Sequence, residues 1–252
     1  MPLLRKLEPE WLDQLPADDP RAIRSRRDLR RINAWMRNAG SMASELVKYA
    51  AGRQPQCIVD LGSGDGQFML QVARLLAPRW PRVKIILHDR QNIVSRVTCE
   101  GFAALQWQVE TISADVFTFL EDARSARVDV ITSNLFLHHF GDEQLRRLLA
   151  QMAELAWLVV ACEPRRARYV VRFSRLLWAI GCNDVSIHDA IVSARAGFDG
   201  KELSALWPSH EQSPGADRWE LHERRAGFFS HCFAARRATP AGQVSTGIES
   251  QS

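Results

Sequence analysis

Ile58-Val59-Asp60-Leu61-Gly62-Ser63-Gly64-Asp65-Gly66 runs from a short apolar stretch straight into three closely spaced glycines, and Gln67 to Leu76 continues at helical spacing. Strand, glycine turn and helix in that order form the opening unit of a parallel α/β sheet. Glycines at the turn let the backbone fold tightly and let a ligand approach where a Cβ would intrude. The spacing is GxGxG, with Gln67 where the dinucleotide fingerprint GxGxxG has its third glycine, which argues against a pyrophosphate. Asp60, just before the loop, points the same way. A carboxylate there repels phosphates but attracts the ammonium and sulfonium of a methionine-like ligand. A tight strand-to-helix turn also occurs where nothing binds, so the loop needs support from the rest of the chain.

Working outward, further short apolar stretches predict strands at Lys84 to Asp89, Trp107 to Ser113, Val128 to Ser133 and Trp157 to Cys162. Helices are expected at Gln67 to Leu76, ended by Pro78, and at Glu143 to Ala156, where Leu145, Leu148, Leu149, Met152 and Leu155 form one stripe. Arg166 to Ile180 reads as one amphipathic helix with Val170, Phe173, Leu177 and Ile180 inward and Gly181 as its stop. Ahead of the first strand, prolines at 2, 9, 16 and 20 predict an irregular start and a helix entered near Pro20. Leu29, Ile32 and Met36, with Trp35 beside them, would be its apolar face. A second helix carries Met42, Leu46 and Tyr49 as far as Gly52.

The region from 182 to 214 reads as loop with one short helix around Lys201 to Trp207, bordering the site. Trp219 to Arg224 and Phe228 to Arg237 read as an antiparallel hairpin. The expected organisation is a helical cap over residues 1–52, a main domain over 53–238 with a substrate-side insertion at 182–214, and a disordered tail at 239–252. The expected fold class is α/β: a Rossmann-like, mostly parallel seven-stranded sheet with helices on both faces and the hairpin as its antiparallel end.

Of 252 residues, 46% are hydrophobic and 25% charged, the mix of a globular protein with a proper core. The longest apolar run, Leu155 to Cys162, falls short of the roughly 20 residues of a membrane span and reads as a buried strand. The charged N-terminus offers no signal peptide. Five cysteines form no CxxC pair and cannot all be paired, so a reducing, cytoplasmic setting is expected, with Cys57, Cys162 and Cys232 as core residues. The net charge of +4 owes much to arginines 21, 24, 26, 27, 30, 31 and 37. Asp18, Asp19 and Asp28 interrupt that run, so a solvated helix face is the plain reading; nucleic acid, an anionic membrane or an acidic substrate are the others.

Two more acids fall at strand ends, the edge where open α/β sheets bind ligands. Asp89 follows the glycines by about 20 residues, the interval at which an acidic side chain takes ribose hydroxyls. Asp115 is placed to accept from an adenine amine, with Val116 donating its backbone N–H to a ring nitrogen. VDLGSGDGQF, Asp89, ADVF around Asp115 and SNLFLHHF together resemble the class I S-adenosylmethionine-dependent methyltransferases, over roughly Cys57 to Arg237. The resemblance implies S-adenosylmethionine as cofactor, held by Asp60, Gly62, Gly64, Asp89, Asp115 and Val116, with Ser63, Arg90 and Asn134 adjoining them. SNLFLHHF is similar to the N-x-x-LHH stretch of small-molecule methyltransferases of the ubiquinone/menaquinone-biosynthesis type, and HDAIVSARAGF to methyltransferases of aromatic polyketide pathways.

Methyl transfer needs an aligned lone pair, and a phenol or alcohol must also lose a proton. His138 and His139, after the fourth strand, are the candidate bases; each could equally pack or bond to backbone. His188 with Asp189 is a further base-and-acid pair, or a locally satisfied one. Arg31 and Asn33 could close over a carboxylate. Trp35, Trp178, Trp207 and Trp219 read as cap and core packing, with Trp207 the best exception as a substrate contact. No metal site is expected from ligand spacing, and nothing sets an oligomeric state. The expected reaction is O-methylation of a phenolic, quinol or related small molecule. A nucleic-acid enzyme would carry an N/D-P-P-aromatic turn where this chain has Asn134-Leu135-Phe136-Leu137. A protein methyltransferase and a non-catalytic cofactor-binding module are the remaining alternatives.

Overall fold

A computed structural model describes residues 3–125, 127–208 and 218–238. In chain order the elements are α1 (Trp11–Gln14), α2 (Pro20–Met36), α3 (Asn38–Ala50), β1 (Cys57–Leu61), α4 (Gln67–Leu76), β2 (Lys84–Asp89), α5 (Arg96–Ala104), β3 (Gln108–Ser113), α6 (Val116–Asp122), β4 (Val130–Asn134), α7 (Asp142–Leu155), β5 (Leu158–Pro164), α8 (Arg168–Ser174), α9 (Asp184–Ala196), α10 (Glu202–Leu206), β6 (Trp219–Ala226) and β7 (Ser230–Arg237). Short 3-10 turns follow α6, β4 and α8. The sheet order is β3-β2-β1-β4-β5-β7-β6; only β7 runs antiparallel, to β5 on one side and β6 on the other. This is the expected seven-stranded, Rossmann-like sheet. The order reverses between β1 and β4, and the crevice at that switch point is where ligands meet such a sheet.

Both faces of the sheet are covered, so successive strand residues enter opposite cores. Ile58, Val130, Leu158, Val160 and Cys162 pack with Met69, Leu70, Leu76 and Phe102 on one side. Val59, Leu61, Ile131, Val159 and Ala161 pack with Leu145, Leu148, Leu149 and Met152 on the other. Leu158–Pro164 is buried throughout, which explains why its sequence reads as an uninterrupted apolar run. Cys57, Cys162 and Cys232 lie in the core as expected.

Three expectations need correction. The stretch from Arg166 to Ile180 is not one helix: α8 gives way to a 3-10 segment, Arg175–Ile180, which Gly181 ends in the left-handed region. Val170 is buried, but Phe173 and Ile180 are exposed, because helical periodicity reports apolar spacing and not what lies opposite. The region after Cys182 is not mainly loop. Asn183 caps the 13-residue α9, accepting from the Ser186 N–H at 2.9 Å. In α2 the buried side is Ala22, Ser25 and Asp28, while Trp35 stands in solvent. Asp28 earns its buried place by accepting from Asn183 N–H (3.0 Å) and Ser186 Oγ (3.1 Å), tying α2 to α9. The helix start near Pro20 is as expected, with Asp19 as its cap. The tail at 239–252 and residues 209–214 of the expected insertion lie outside the described residues.

The second N-terminal helix, α3, is integral to the main core. Met42 and Leu46 are fully buried in the cluster that contains Ile58 and Val160, and Glu45 pairs with Arg224 of β6. Leu46→Ala is therefore expected to cost about 2–5 kcal/mol in urea unfolding, the range for a fully buried leucine. A loss below about 1 kcal/mol would mean that α3 is a detachable cap.

Candidate active site

Gly62 and Gly64, in the loop after β1, have φ of 69° and 55°, which a side chain would strain. A Cβ on Gly62 would stand 2.4 Å from the Phe136 ring, so the loops after β1 and β4 touch only because residue 62 is bare. The first loop is pinned to the end of β2. Ser63 N–H donates to His88 O (2.9 Å), and Gly64 N–H donates to Asp89 Oδ2 (2.8 Å). Asp89 Oδ1 also accepts from Gln91 N–H at 2.9 Å. Asp115 caps α6, accepting from Phe117 N–H at 2.9 Å.

The loop after β4 is built on Glu163, a fully buried residue of β5. Its carboxylate accepts from the N–H groups of Phe136 (3.1 Å), Leu137 (2.8 Å) and His138 (3.4 Å), and its Oε2 lies 2.8 Å from His138 Nδ1. Leu135 enters this turn at φ 55°, a conformation that costs a non-glycine residue roughly 1–2 kcal/mol and that the three hydrogen bonds to Glu163 hold in place.

A cavity of about 660 Å³ opens at these loops. Asp60, Gly62, Ser63, Gly64, Asp89, Arg90, Asp115, Val116, Asn134 and His139 all line it. Ser63 Oγ and Asn134 Oδ1 are buried there without a hydrogen-bond partner. Asp60 is buried as well, and among the described residues only the Thr132 hydroxyl donates to its side chain (2.8 Å). Burial, reinforced by the charge of Asp89 and opposed by that hydrogen bond, pushes the Asp60 carboxyl up to about 7. An unfilled acceptor, an unfilled hydroxyl and a carboxyl short of positive charge fit a ligand carrying a cation and hydroxyls. The residues thus fit S-adenosylmethionine better than a pyrophosphate. Arg26 and Arg30 of α2 also line the cavity, with Asn33. Arg31, which could have closed over a carboxylate or stayed a solvated surface residue, is exposed and donates to Ile180 O at 3.0 Å.

The sequence reading missed the segment that covers this cavity. Leu7 to Glu10 and Leu12 to Gln14 lie along its wall. Arg5 fastens the segment to Phe140 O and Ala196 O, both at 2.8 Å, and to Asp142 at 3.1 Å. Farther on, Asp189 of α9 accepts from Trp11 N–H (2.8 Å) and Leu12 N–H (2.9 Å). The Trp11 ring stacks on His188, centroids 3.9 Å apart. His188 and Asp189 do pair, at 2.8 Å, but on a helix and as an anchor for this segment; neither lines the cavity.

Glu10 reaches the histidine pair. His138 Nε2 is 3.2 Å from Glu10 Oε1, and Ser193 Oγ donates to the same oxygen. His138, 2% exposed and absent from the cavity wall, thus sits between two carboxylates. Burial opposes its charge, but hydrogen bonds with Glu10 and Glu163 prevail and raise it to about 9. Burial would likewise raise Glu10, yet His138 outweighs it and holds Glu10 down at about 2. His139 does line the cavity. Burial and the charge of His138 lower its pKa, and its Nδ1 is 3.4 Å from Asp13 Oδ2. The ligand atoms of Glu10, His138 and His139 lie within 4.8 Å of one another, close enough to share a cation. Ligand spacing along the chain could not reveal this group, because Glu10 and His138 are 128 residues apart. Trp207, read as a possible substrate contact, is core: its ring lies 5.0 Å from Trp219 and 5.4 Å from Phe233.

Residues 58–156 match the family model of a methyltransferase domain. No curated protein matches the sequence. Among solved structures, the plantazolicin methyltransferase BpumL in complex with SAH is similar at 15% identity and a TM-score of 0.63, over 90% of this chain and 94% of that one. An O-methyltransferase family protein from Burkholderia thailandensis is similar at 17% identity and a TM-score of 0.56 over 89% of this chain, which spans 62% of that protein's length. Human N-acetylserotonin methyltransferase in complex with SAM is similar at 15% identity and a TM-score of 0.53 over 90% of this chain, which spans 61% of its length. Identities this low carry the fold.

The docking of the N-terminal segment is expected to depend on pH through Glu10 and His138. His138 is raised from 6.5 to about 9, so its contribution is complete below 6.5 and lost as pH rises through 9. Glu10 is lowered from 4.5 to about 2, so its contribution is complete above 4.5 and lost as pH falls through 2. Hydrogen exchange corrected for intrinsic rates should show residues 7–14 best protected between pH 4.5 and 6.5 and loosened above pH 9, with Glu10→Gln removing the dependence. Protection that is flat across this range in the unmodified chain would show that the pair does not hold the segment.

Proposed function

From the premise that the chain carries a class I S-adenosylmethionine-dependent methyltransferase domain, we propose that it methylates a hydroxyl of a phenolic, quinol or related small molecule, with His139 as the base. The observation that carries this reading is a histidine held neutral in the cavity wall just after β4, with a carboxylate 3.4 Å from its ring. When bound, S-adenosylmethionine would supply an electrophilic methyl carbon, which the acceptor's lone pair takes in line as the C–S bond breaks and the neutral thioether leaves. Asp60 and Asn134 Oδ1 would hold its ammonium, Asp89 its ribose hydroxyls, and Asp115 with the Val116 N–H its adenine. Ser63 and Arg90 would complete the contacts.

His139 takes the hydroxyl proton as the acceptor oxygen forms its bond to carbon. Asp13 and Glu10 then stabilise the imidazolium. His138, already charged between Glu10 and Glu163, is unsuited to accept that proton; it positions the turn, and its charge adds to the burial that lowers the pKa of His139. The acceptor would lie against Leu7, Leu12, Leu29, Phe136 and Phe140, which give the cavity an apolar side. Cover by residues 7–14 supports a small acceptor, since a nucleic acid or protein would have to displace that segment.

Exchange of His139 for alanine is expected to lower kcat with the cognate phenol by roughly 10²–10⁴-fold, the usual worth of a general base, while affinity for S-adenosylmethionine stays within about twofold. Turnover should recover as pH approaches the acceptor's own pKa, where the phenolate forms unaided. A variant as active as the parent at neutral pH would remove His139 from the chemistry.

A further inference from the structure

Six large apolar side chains stand in solvent on one connected surface away from the cavity: Trp35 of α2, Phe173 of α8, Leu176, Trp178 and Ile180 of the following 3-10 segment, and Phe228 of the β6–β7 turn. Trp35, Trp178 and Phe228 are 67%, 66% and 76% exposed. The half-buried Phe229 ties the three elements together, with ring centroids 5.1 Å from Trp35, 5.8 Å from Phe173 and 6.5 Å from Phe228. Arg31 and Arg24 bond the backbone carbonyls of Ile180 and Gly181, bringing α2 against the end of the 3-10 segment. Surface apolar residues scattered singly need no explanation; a contiguous aromatic group does.

The charge around this group is predominantly positive. Arg24, Arg27 and Arg31 share the helix face that ends in Trp35, opposite the face that sends Arg26, Arg30 and Asn33 to the cavity. Between Glu163 and Asp184 the chain has five arginines and no acidic residue, and Arg168, Arg172 and Arg175 are exposed. The nearby acids are Asp28, buried and committed to α9, Asp184 at the start of α9, and Asp199, which is paired with Arg165 and Arg225.

We infer that this face, Trp35, Phe173, Leu176, Trp178, Ile180 and Phe228 ringed by arginines, seats the protein on an anionic lipid surface. Tryptophan and phenylalanine beside arginine, on a segment lying flat on the fold, match the chemistry of the headgroup layer, where apolar rings enter and guanidinium groups meet phosphate. A second copy fits less well, because a two-fold contact would set arginine against arginine. Nucleic acid fits less well too, since its contact surfaces are polar while Leu176 and Ile180 offer only hydrocarbon. Among the described residues no helix is long and apolar enough to cross a membrane, and this attachment needs none.

Vesicle sedimentation of the full chain tests this. The protein should pellet with vesicles of phosphatidylcholine containing about a third phosphatidylglycerol at least tenfold more than with phosphatidylcholine alone, and less as salt rises. The triple change Trp35→Ser, Trp178→Ser, Phe228→Ser should reduce pelleting about tenfold, as should Arg27→Glu with Arg172→Glu and Arg175→Glu, at unchanged melting temperature and S-adenosylmethionine affinity. Failure of the unmodified protein to pellet, or equal pelleting of the variants, would overturn the inference. So would a dimer in light scattering that the tryptophan and phenylalanine changes dissociate, or nucleic-acid binding abolished by the same changes with no effect on vesicles.

Discussion

Negative charge buried at the carboxyl edge of a parallel sheet must find positive charge or hydrogen-bond donors, and the site in this protein is organised by how two carboxyl groups meet that demand. Glu163, at the end of β5, meets it within the chain: three backbone N–H groups and the His138 ring surround it. Asp60, at the end of β1, has the Thr132 hydroxyl and a like charge nearby, so its carboxyl is pushed up to about 7. One group builds the wall. The other is left wanting a cation, beside the unfilled oxygens of Ser63 and Asn134.

From Glu163 the consequences run outward in order. Its hydrogen bonds hold Leu135 in the left-handed region and bring Phe136 against Gly62, where no side chain would fit. They also set His138 between Glu163 and Glu10, so the turn after β4 and the N-terminal segment are joined through one imidazolium. His139, next along, has its pKa lowered by burial and further by its neighbour's charge. Two carboxylates on one histidine, and burial with that histidine's charge on the other, thus separate the adjacent pair into a positioning residue and a candidate base.

The sheet and its covering helices were legible because their signals are local. The glycine loop, the apolar strands and the stripe on α7 each declare themselves within a dozen residues, and Asp60, Asp89 and Asp115 follow from their places at strand ends. Glu10, Asp13 and Glu163 were not legible, since their meaning lies in partners over a hundred residues away or on a neighbouring strand. Glu163 lies one residue past the strand expected at Trp157 to Cys162 and carries no local signal of its own. The exposed Phe173, Ile180 and Trp35 were read as packing for a related reason: periodicity finds an apolar stripe and cannot tell core from open surface. The helix α9 went unread because its face is of mixed polarity, with buried Ser186 and Asp189 among its valines and alanines.

Calorimetry of S-adenosylmethionine binding across pH 6 to 8, in buffers of different ionisation enthalpy, tests most directly whether a ligand's positive charge completes Asp60. A carboxyl that titrates near 7 in the free protein and is ionised in the complex requires proton release on binding and an affinity that weakens as pH falls below about 7, with both effects absent from Asp60→Asn. Binding that releases no proton and is equally tight in that variant, or no binding at all, would contradict the account.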